Sequence, residues 1–277
     1  MWKYLTRKEN IFMIPKIIHY CWFGKGEKPE VFDKCIQSWK HFMPDWKIIE
    51  WNEDNTDLSC CSFVEEAYKC KKWAFVSDFV RLKAVYEFGG IYLDTDVELY
   101  ESFENLLVNN AFMFFQNHNQ INTGLGFGAE KGNLLVKSLL DDYMKLEFSL
   151  ENINKLACPV RNTEVIRREV SAFSANNTTQ CVNGILFISF DDYCSRAHHY
   201  GEFSWKTEEQ LYALKYSKKN HKAWKLRKRL RNPKIFQFFE KHRLYKIGRC
   251  YSFLVYDCID YGIVYWIMRI VSKLKKG

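Results

Sequence analysis

At 277 residues, with 47% hydrophobic and 17% aromatic content, the chain holds enough apolar material to bury one large core. Disordered and fibrous classes are excluded. The net charge of +8 is segregated: residues 206–277 carry 19 Lys plus Arg against 5 Asp plus Glu, a net of +14, which leaves −6 for residues 1–205. A two-part chain, 1–205 and 206–277, is expected.

The first thirteen residues carry Lys3, Arg7, Lys8 and Glu9 and no apolar run of signal-peptide length, so export is not expected. An apolar strand over 17–21 then runs into Trp22, Phe23 and Gly24. Periodicity predicts helices over 31–41, 63–70, 74–88 and 134–146, and further strands over 47–51, 91–93, 111–116 and 185–190. Strands alternating with helices predict an α/β fold, a mainly parallel sheet covered by helices. Ligands in such sheets bind beyond the carboxyl ends of the strands, where the residues after Tyr20 and after Leu93 fall. The ten cysteines are scattered, Cys60 and Cys61 adjacent, with no repeated Cys-x-x-Cys. Neither a zinc module nor a disulfide framework is indicated, and a reducing cytoplasm is expected.

The most informative stretch is 74–96. A helix carrying Asp78 and Arg81, three apart and therefore on one face, ends at Gly89 and Gly90. Gly89 suits a left-handed helix-closing residue, and Gly90 lets the chain turn without a β-carbon. The apolar strand after them leads into Asp94, Thr95 and Asp96. Residues two apart in a strand share a side, so the two carboxylates are expected to converge on one hard cation. Two like charges that close carry a cost unless a cation or donor compensates.

In order and spacing, this set resembles the core motif of glycosyltransferase family 32, the DXD-containing sugar transferases of bacterial capsule and polysaccharide synthesis. The resemblance covers residues 14–205, from the opening segment around His19 and Trp22 through Asn122, Thr123 and Gly124 to the Cys158 and Pro159 segment. Trp22, Asp78, Arg81, Tyr92, Asp94 and Asp96 also resemble the catalytic domain of the large clostridial glucosylating toxins. These likenesses imply a Rossmann-like nucleotide-sugar transferase fold of GT-A type, with a mainly parallel mixed sheet. They imply catalytic roles for Asp78, Arg81, Asp94 and Asp96, with Trp22 stacking on the nucleotide base and Tyr92, Asn122 and Thr123 contacting the donor. His198, His199, Ser204 and Trp205 resemble the family's closing cluster, which makes either histidine a metal ligand beside Asp94 and Asp96 and puts Ser204 and Trp205 over the diphosphate. Four residues separate the histidines from Ser204, one more than the family pattern, so the choice of histidine stays open. Mn2+ or Mg2+ would suit the shell.

The likeness implies a metal-dependent, retaining hexosyltransferase. It would take a nucleotide-sugar, a UDP-sugar by the toxin resemblance, and a polysaccharide or lipid-linked saccharide acceptor. A sugar nucleotidyltransferase and a noncatalytic membrane-binding scaffold are the alternatives; Gly24, Lys25 and Gly26 make a poor version of the former's nucleotide loop. The 206–277 extension, basic and rich in aromatics with Asp257, Asp260 and Arg269 interrupting any span, is expected to form helices lying on an anionic membrane surface at the cytoplasmic inner face, the alternative being a helical subdomain packed on the catalytic core. No nucleic-acid motif accompanies the basic run, and no nucleic-acid partner is expected.

Overall fold

The computed structural model describes residues 13–116 and 119–201. The boundary expected at residue 205, the extension beyond it, and Ser204 and Trp205 therefore lie outside the described residues.

The chain opens with β1 (Ile17–Cys21), α1 (Glu30–Phe42), β2 (Lys47–Trp51), α2 (Ser62–Lys69), α3 (Trp73–Phe88) and β3 (Gly90–Tyr92). Next come β4 (Val97–Leu99), β5 (Ala111–Gln116), β6 (Gln120–Ile121), β7 (Phe127–Ala129), α4 (Leu134–Tyr143) and α5 (Ile153–Leu156). The described part closes with α6 (Cys158–Glu169), β8 (Gln180–Val182), β9 (Ile185–Ile188), α7 (Phe190–Arg196) and β10 (Ala197–His199).

Eight strands form one sheet in the order β2-β1-β3-β7-β5-β9-β8, with β6 paired to β5. β1 pairs in parallel with β2 and β3, and β5 with β9; β7 runs antiparallel between β3 and β5. Five strands (β1, β2, β3, β5, β9) thus share a direction, and β6, β7 and β8 oppose them. The expected α/β architecture with a mixed, mostly co-directional sheet is the one observed. Because the side-chain period of a strand is 2, β5 feeds both faces: Met113 and Phe115 join a core with α2, α3, α4 and α6, while Phe112 and Phe114 join a second core with α1, β4 and α7. All four are fully buried.

α3 is buried along most of its length, including Asp78 and Arg81, which explains why its sequence lacks a polar stripe. It ends at Gly89 (φ +68), and Gly90 (φ +105) starts β3 so close to β1 that a β-carbon there would lie 2.7 Å from the Ile17 carbonyl oxygen. Buried His19 fixes this junction. Trp51 Nε1 donates to His19 Nδ1 (3.1 Å), so the other nitrogen, Nε2, donates to the Gly89 carbonyl (2.8 Å). Burial lowers the imidazole's pKa in keeping with this neutral, hydrogen-bonded form.

The helix expected over 134–146 ends at Tyr143, and two strand boundaries that also differ from the sequence reading bear on the site. β3 stops at Tyr92, so Leu93 to Asp96 leave the sheet as a turn closed by the Val97 amide on the Asp94 carbonyl (3.0 Å). β9 stops at Ile188 because Ser189 caps α7, its side chain accepting from the Asp192 amide.

Candidate metal and sugar-nucleotide site

Asp94 and Asp96 sit at the carboxyl edge of β3, the edge shared by the parallel neighbour β1 and therefore by Trp22. The carboxylates converge through the turn at residues 93–96 rather than through strand alternation. A separate two-stranded ribbon completes the cluster. β10 pairs antiparallel with β4, His199 opposite Val97, and the Tyr200 amide donates to the Asp96 carbonyl (3.0 Å). This delivers His199 Nε2 to 3.1 Å from Asp96 Oδ1 and 3.8 Å from Asp94 Oδ2.

His198 points the other way along the same strand: it packs edge-on against Tyr200 at 4.6 Å, and Glu98, its pairing partner across the ribbon, bonds Lys34 and Tyr200. Of the two candidate histidines, only His199 joins the aspartates. Asp94, Asp96 and His199 offer one ligand atom each within 4.8 Å of one another, among the described residues the only such group of three. Two carboxylates and an imidazole suit a borderline or hard divalent cation, and the partly exposed side chains of Asp94 and His199, beside the buried Asp96, leave room for ligand oxygens on the open side.

Behind this open front lies a buried floor. Arg81 Nη2 is 3.0 Å from Asp78 Oδ1 and 3.2 Å from Asp94 Oδ1, and Tyr92 OH donates to that same Asp94 oxygen at 2.8 Å. The guanidinium also stacks over the Tyr92 ring at 4.7 Å. Asp94 is thus gripped by Oδ1 and turns Oδ2 toward His199. Gly124 backs the carboxylate so tightly that a β-carbon there would meet Asp94 Oδ2 at 2.4 Å.

The charges explain the titration behaviour. Burial raises the Asp78 carboxyl to about 7 despite Arg81. Asp94 is raised by burial and by Asp96, with Arg81 and His199 opposing. Burial lowers His199, but its hydrogen bond to Asp96 and the charges of both aspartates outweigh that, and its pKa is raised. Asp94 and His199 thus hold a proton more tightly than usual where a cation would replace it, and Asp78 holds one in the floor behind them.

The donor-contacting residues inferred from the resemblance divide between surface and interior. Trp22 is half-buried, its ring braced against Phe32 and its Nε1 donating to the Gly26 carbonyl (2.9 Å), so one aromatic unit stands fixed at the edge. Asn122 is partly exposed; its Oδ1 accepts from the Gly124 amide (2.8 Å). Tyr92 and Thr123, each 1% exposed, are packed into the floor and turn no surface outward. Thr123 Oγ1 instead accepts from Asn162 (2.9 Å) and lies 3.5 Å from Cys158 Sγ.

Two floor residues carry no role in the sequence reading. Cys158, at the start of α6, donates to Asn122 Oδ1 (3.3 Å) and neighbours Arg81, its thiol raised by burial to about 12 and so neutral. Asn162, one turn on and fully buried, keeps Oδ1 without a hydrogen-bond partner among the described residues. Their spacing of four on one helix face was the available signal.

Residues 29–113 match the family model described as "Glycosyltransferase sugar-binding region containing DXD motif". The chain is 30% identical over 112 residues to inositol phosphoceramide mannosyltransferase 1 of Schizosaccharomyces pombe (strain 972), covering 36% of this chain and 33% of that protein. It is 33% identical over 102 residues to inositol phosphoceramide mannosyltransferase 3 of the same organism, covering 34% and 27%. The chain therefore spans a third or less of the length of these relatives. Among solved structures it is similar to the PaToxG glycosyltransferase at a TM-score of 0.46 and 19% identity, covering 58% of this chain and 71% of that one.

Proposed function

We propose that this chain is a metal-dependent glycosyltransferase that moves a hexose from a nucleotide-sugar to a saccharide or lipid-linked acceptor. The observation that carries the reading is the Asp94, Asp96 and His199 cluster at the carboxyl edge of β3, whose aspartates fall inside the segment matching a DXD sugar-binding region. These three residues would hold Mn2+ or Mg2+, which when bound supplies Lewis-acid stabilisation of charge on the departing nucleoside diphosphate. The chain's own residues do the positioning. Arg81 and Tyr92 fix Asp94, the β4/β10 ribbon fixes His199, and Trp22 offers its face to the base.

Retention of configuration and a UDP-sugar donor belong to this proposal on the strength of the family and toxin resemblances. The relatives' names support a lipid-linked acceptor with a phosphorylated headgroup. Placement at the inner face of a membrane, through residues 206–277, is proposed from charge segregation; no helix of the described residues is long and apolar enough to cross a membrane. The nucleotidyltransferase alternative is disfavoured by the loop after β1, where the Gly24 amide is taken by the Glu53 carboxylate (2.7 Å) instead of lying open to a phosphate.

The test is release of sugar from UDP-glucose, UDP-galactose and GDP-mannose by the full chain with Mn2+. Hydrolysis of one donor, absent with chelator and in the Asp94→Asn, Asp96→Asn double variant, supports the reading. Condensation of a nucleoside triphosphate with a sugar 1-phosphate would establish the alternative, and silence toward all donors would refute transfer.

A further inference from the structure

We infer that a polar cavity beside α6, away from the cation cluster, is a subsite for a neutral saccharide unit of the acceptor; the word acceptor rests on the glycosyltransferase reading, the binding itself does not. The cavity measures about 260 Å³ and is lined by Asn119, Gln120, Thr163, Glu164 and Arg167, with Val160 and Ala175 completing the wall. That is below the roughly 300–1,000 Å³ of a drug-sized ligand site and fits a single small polyol.

Its lining mixes the donors and acceptors that adjacent hydroxyls require. Two amides and a carboxylate accept, and the same amides with a guanidinium donate. Glu164 is already paired with Arg161 (2.9 Å), while Arg167 makes no ion pair or hydrogen bond among the described residues. Arg161 also bonds Asp142, so two carboxylates stand against two guanidiniums and the wall is nearly neutral, which favours a polyol over a strongly charged ligand.

Position ties this cavity to the catalytic edge. Gln120 lies just past the carboxyl end of β5, which runs in the same direction as β3, so cavity and cluster open at one edge of the sheet. A side-chain relay joins them: Gln116 donates to Gln120 Oε1 (3.0 Å), Asn122 donates to Gln116 Oε1 (3.0 Å), and Asn122 Oδ1 accepts from Gly124, which backs Asp94. α6 provides the second link. Its first residue, Cys158, touches Asn122 and Arg81, and at about 1.5 Å per residue Thr163 and Arg167 lie roughly 8 and 14 Å further along the axis. A chain of sugars with its reacting end at the cluster would place a later unit in this cavity. Thr163 holds the wall rigid, donating to the Pro159 carbonyl (2.7 Å) and accepting from the Ile121 amide (2.9 Å).

The experiment is saturation-transfer NMR on the full chain with methyl α-D-mannopyranoside, methyl β-D-galactopyranoside and myo-inositol, and with inorganic phosphate as a competing anion. Millimolar binding of at least one polyol is expected, weakened about fivefold or more in Arg167→Ala and in Gln120→Ala, the size of one lost hydrogen bond to a charged or amide group. Arg167 is exposed, so its substitution leaves the fold in place, and an unchanged unfolding midpoint confirms it. The Asp94→Asn, Asp96→Asn variant should bind the polyol as wild type does. Silence toward all three polyols, equal binding by both cavity variants, displacement by phosphate, or loss of binding in the aspartate variant each overturns the subsite. Donor hydrolysis by wild type reads the transferase proposal separately, so hydrolysis without polyol binding sinks the subsite alone.

Discussion

The front and the floor of this site are built from the same residue types and behave oppositely. At the front, Asp94 and His199 are partly exposed beside the buried Asp96, and the three are held by a turn and a two-stranded ribbon outside the main sheet. In the floor, Asp78, Arg81 and Tyr92 are buried on α3 and β3, and their charges are matched within 3.0–3.2 Å. Asp94 belongs to both, one oxygen to each. The front leaves charge uncompensated where a ligand can reach it, and the floor neutralises charge where none can. A carboxylate's role in this chain is therefore set by which neighbours the fold supplies.

The sharpest way to break the contrast is to empty the floor. Arg81→Met leaves Asp78 and Asp94 facing each other in the interior, and removing one partner of a buried pair costs about 3–5 kcal/mol. Urea unfolding should show this loss in the midpoint with little change in slope. A variant as stable as wild type would mean that Arg81 is no more than a surface-like pair.

Asp96→Asn tests the front. It keeps shape and removes one ligand charge, so cation-dependent donor turnover should fall about 10²–10³-fold, the rate equivalent of a few kcal/mol of charge stabilisation. Its unfolding midpoint should barely move, since like charges are relieved. Loss of stability comparable to Arg81→Met would erase the distinction between front and floor.

Tyr92→Phe lies on the boundary between them. The ring remains to fill its buried slot, and only the hydroxyl on Asp94 Oδ1 is lost. Groups that orient a metal ligand typically contribute 10–100-fold in cation affinity. Mn2+ titration monitored by electron paramagnetic resonance should show a weakening in that range with donor affinity at saturating Mn2+ preserved. An unchanged Mn2+ affinity would show that Arg81 alone aims the carboxylate.

How much of this was legible in the sequence depends on contact range. Asp94 and Asp96 are two apart, and Asp78 and Arg81 are three apart on a helix, so short spacing flagged both pairs, although the aspartates converge through a turn and not the strand alternation expected; the Gly89 and Gly90 stop was readable from its local residues. The choice between His198 and His199 was not. It depends on which face of β10 meets β4, a pairing between segments 102 residues apart, as the Tyr200 to Glu98 hydrogen bond shows. β7 escaped because its middle residue is Gly128, a poor strand former retained where a β-carbon would strike Phe112 at 2.5 Å. Tyr92 and Thr123 matched a donor-binding pattern by type, yet burial is a property of the packed chain: Tyr92 meets Phe127 of β7, and Thr123 meets Cys158 and Asn162 of α6, all from well downstream.

Proton linkage gives the finest comparison, because the front and the floor should answer pH together but separate when a cation is added. Asp78 is raised from 3.8 to about 7, and Asp94 and His199 are also raised. A group whose folded pKa exceeds its unfolded value contributes stability below the unfolded value and loses it as pH climbs through the folded one. Metal-free protein should therefore lose stability between about pH 5 and 7.5, by at most ~1.4 kcal/mol per proton per pH unit. His19, lowered by burial, works against this trend only below its ordinary value of 6.5. Carboxylates held low, such as Glu50 and Glu98, are ionised in both states across the window and add no slope. Saturating Mn2+ should displace the front protons, flatten or reverse the slope, and bind more tightly as pH rises. Asp78→Asn, which touches the floor alone, should remove part of the metal-free slope and leave the pH dependence of Mn2+ affinity intact. If that substitution instead abolished the pH dependence of Mn2+ binding, Asp78 would belong to the front, and the division argued from its burial would be wrong.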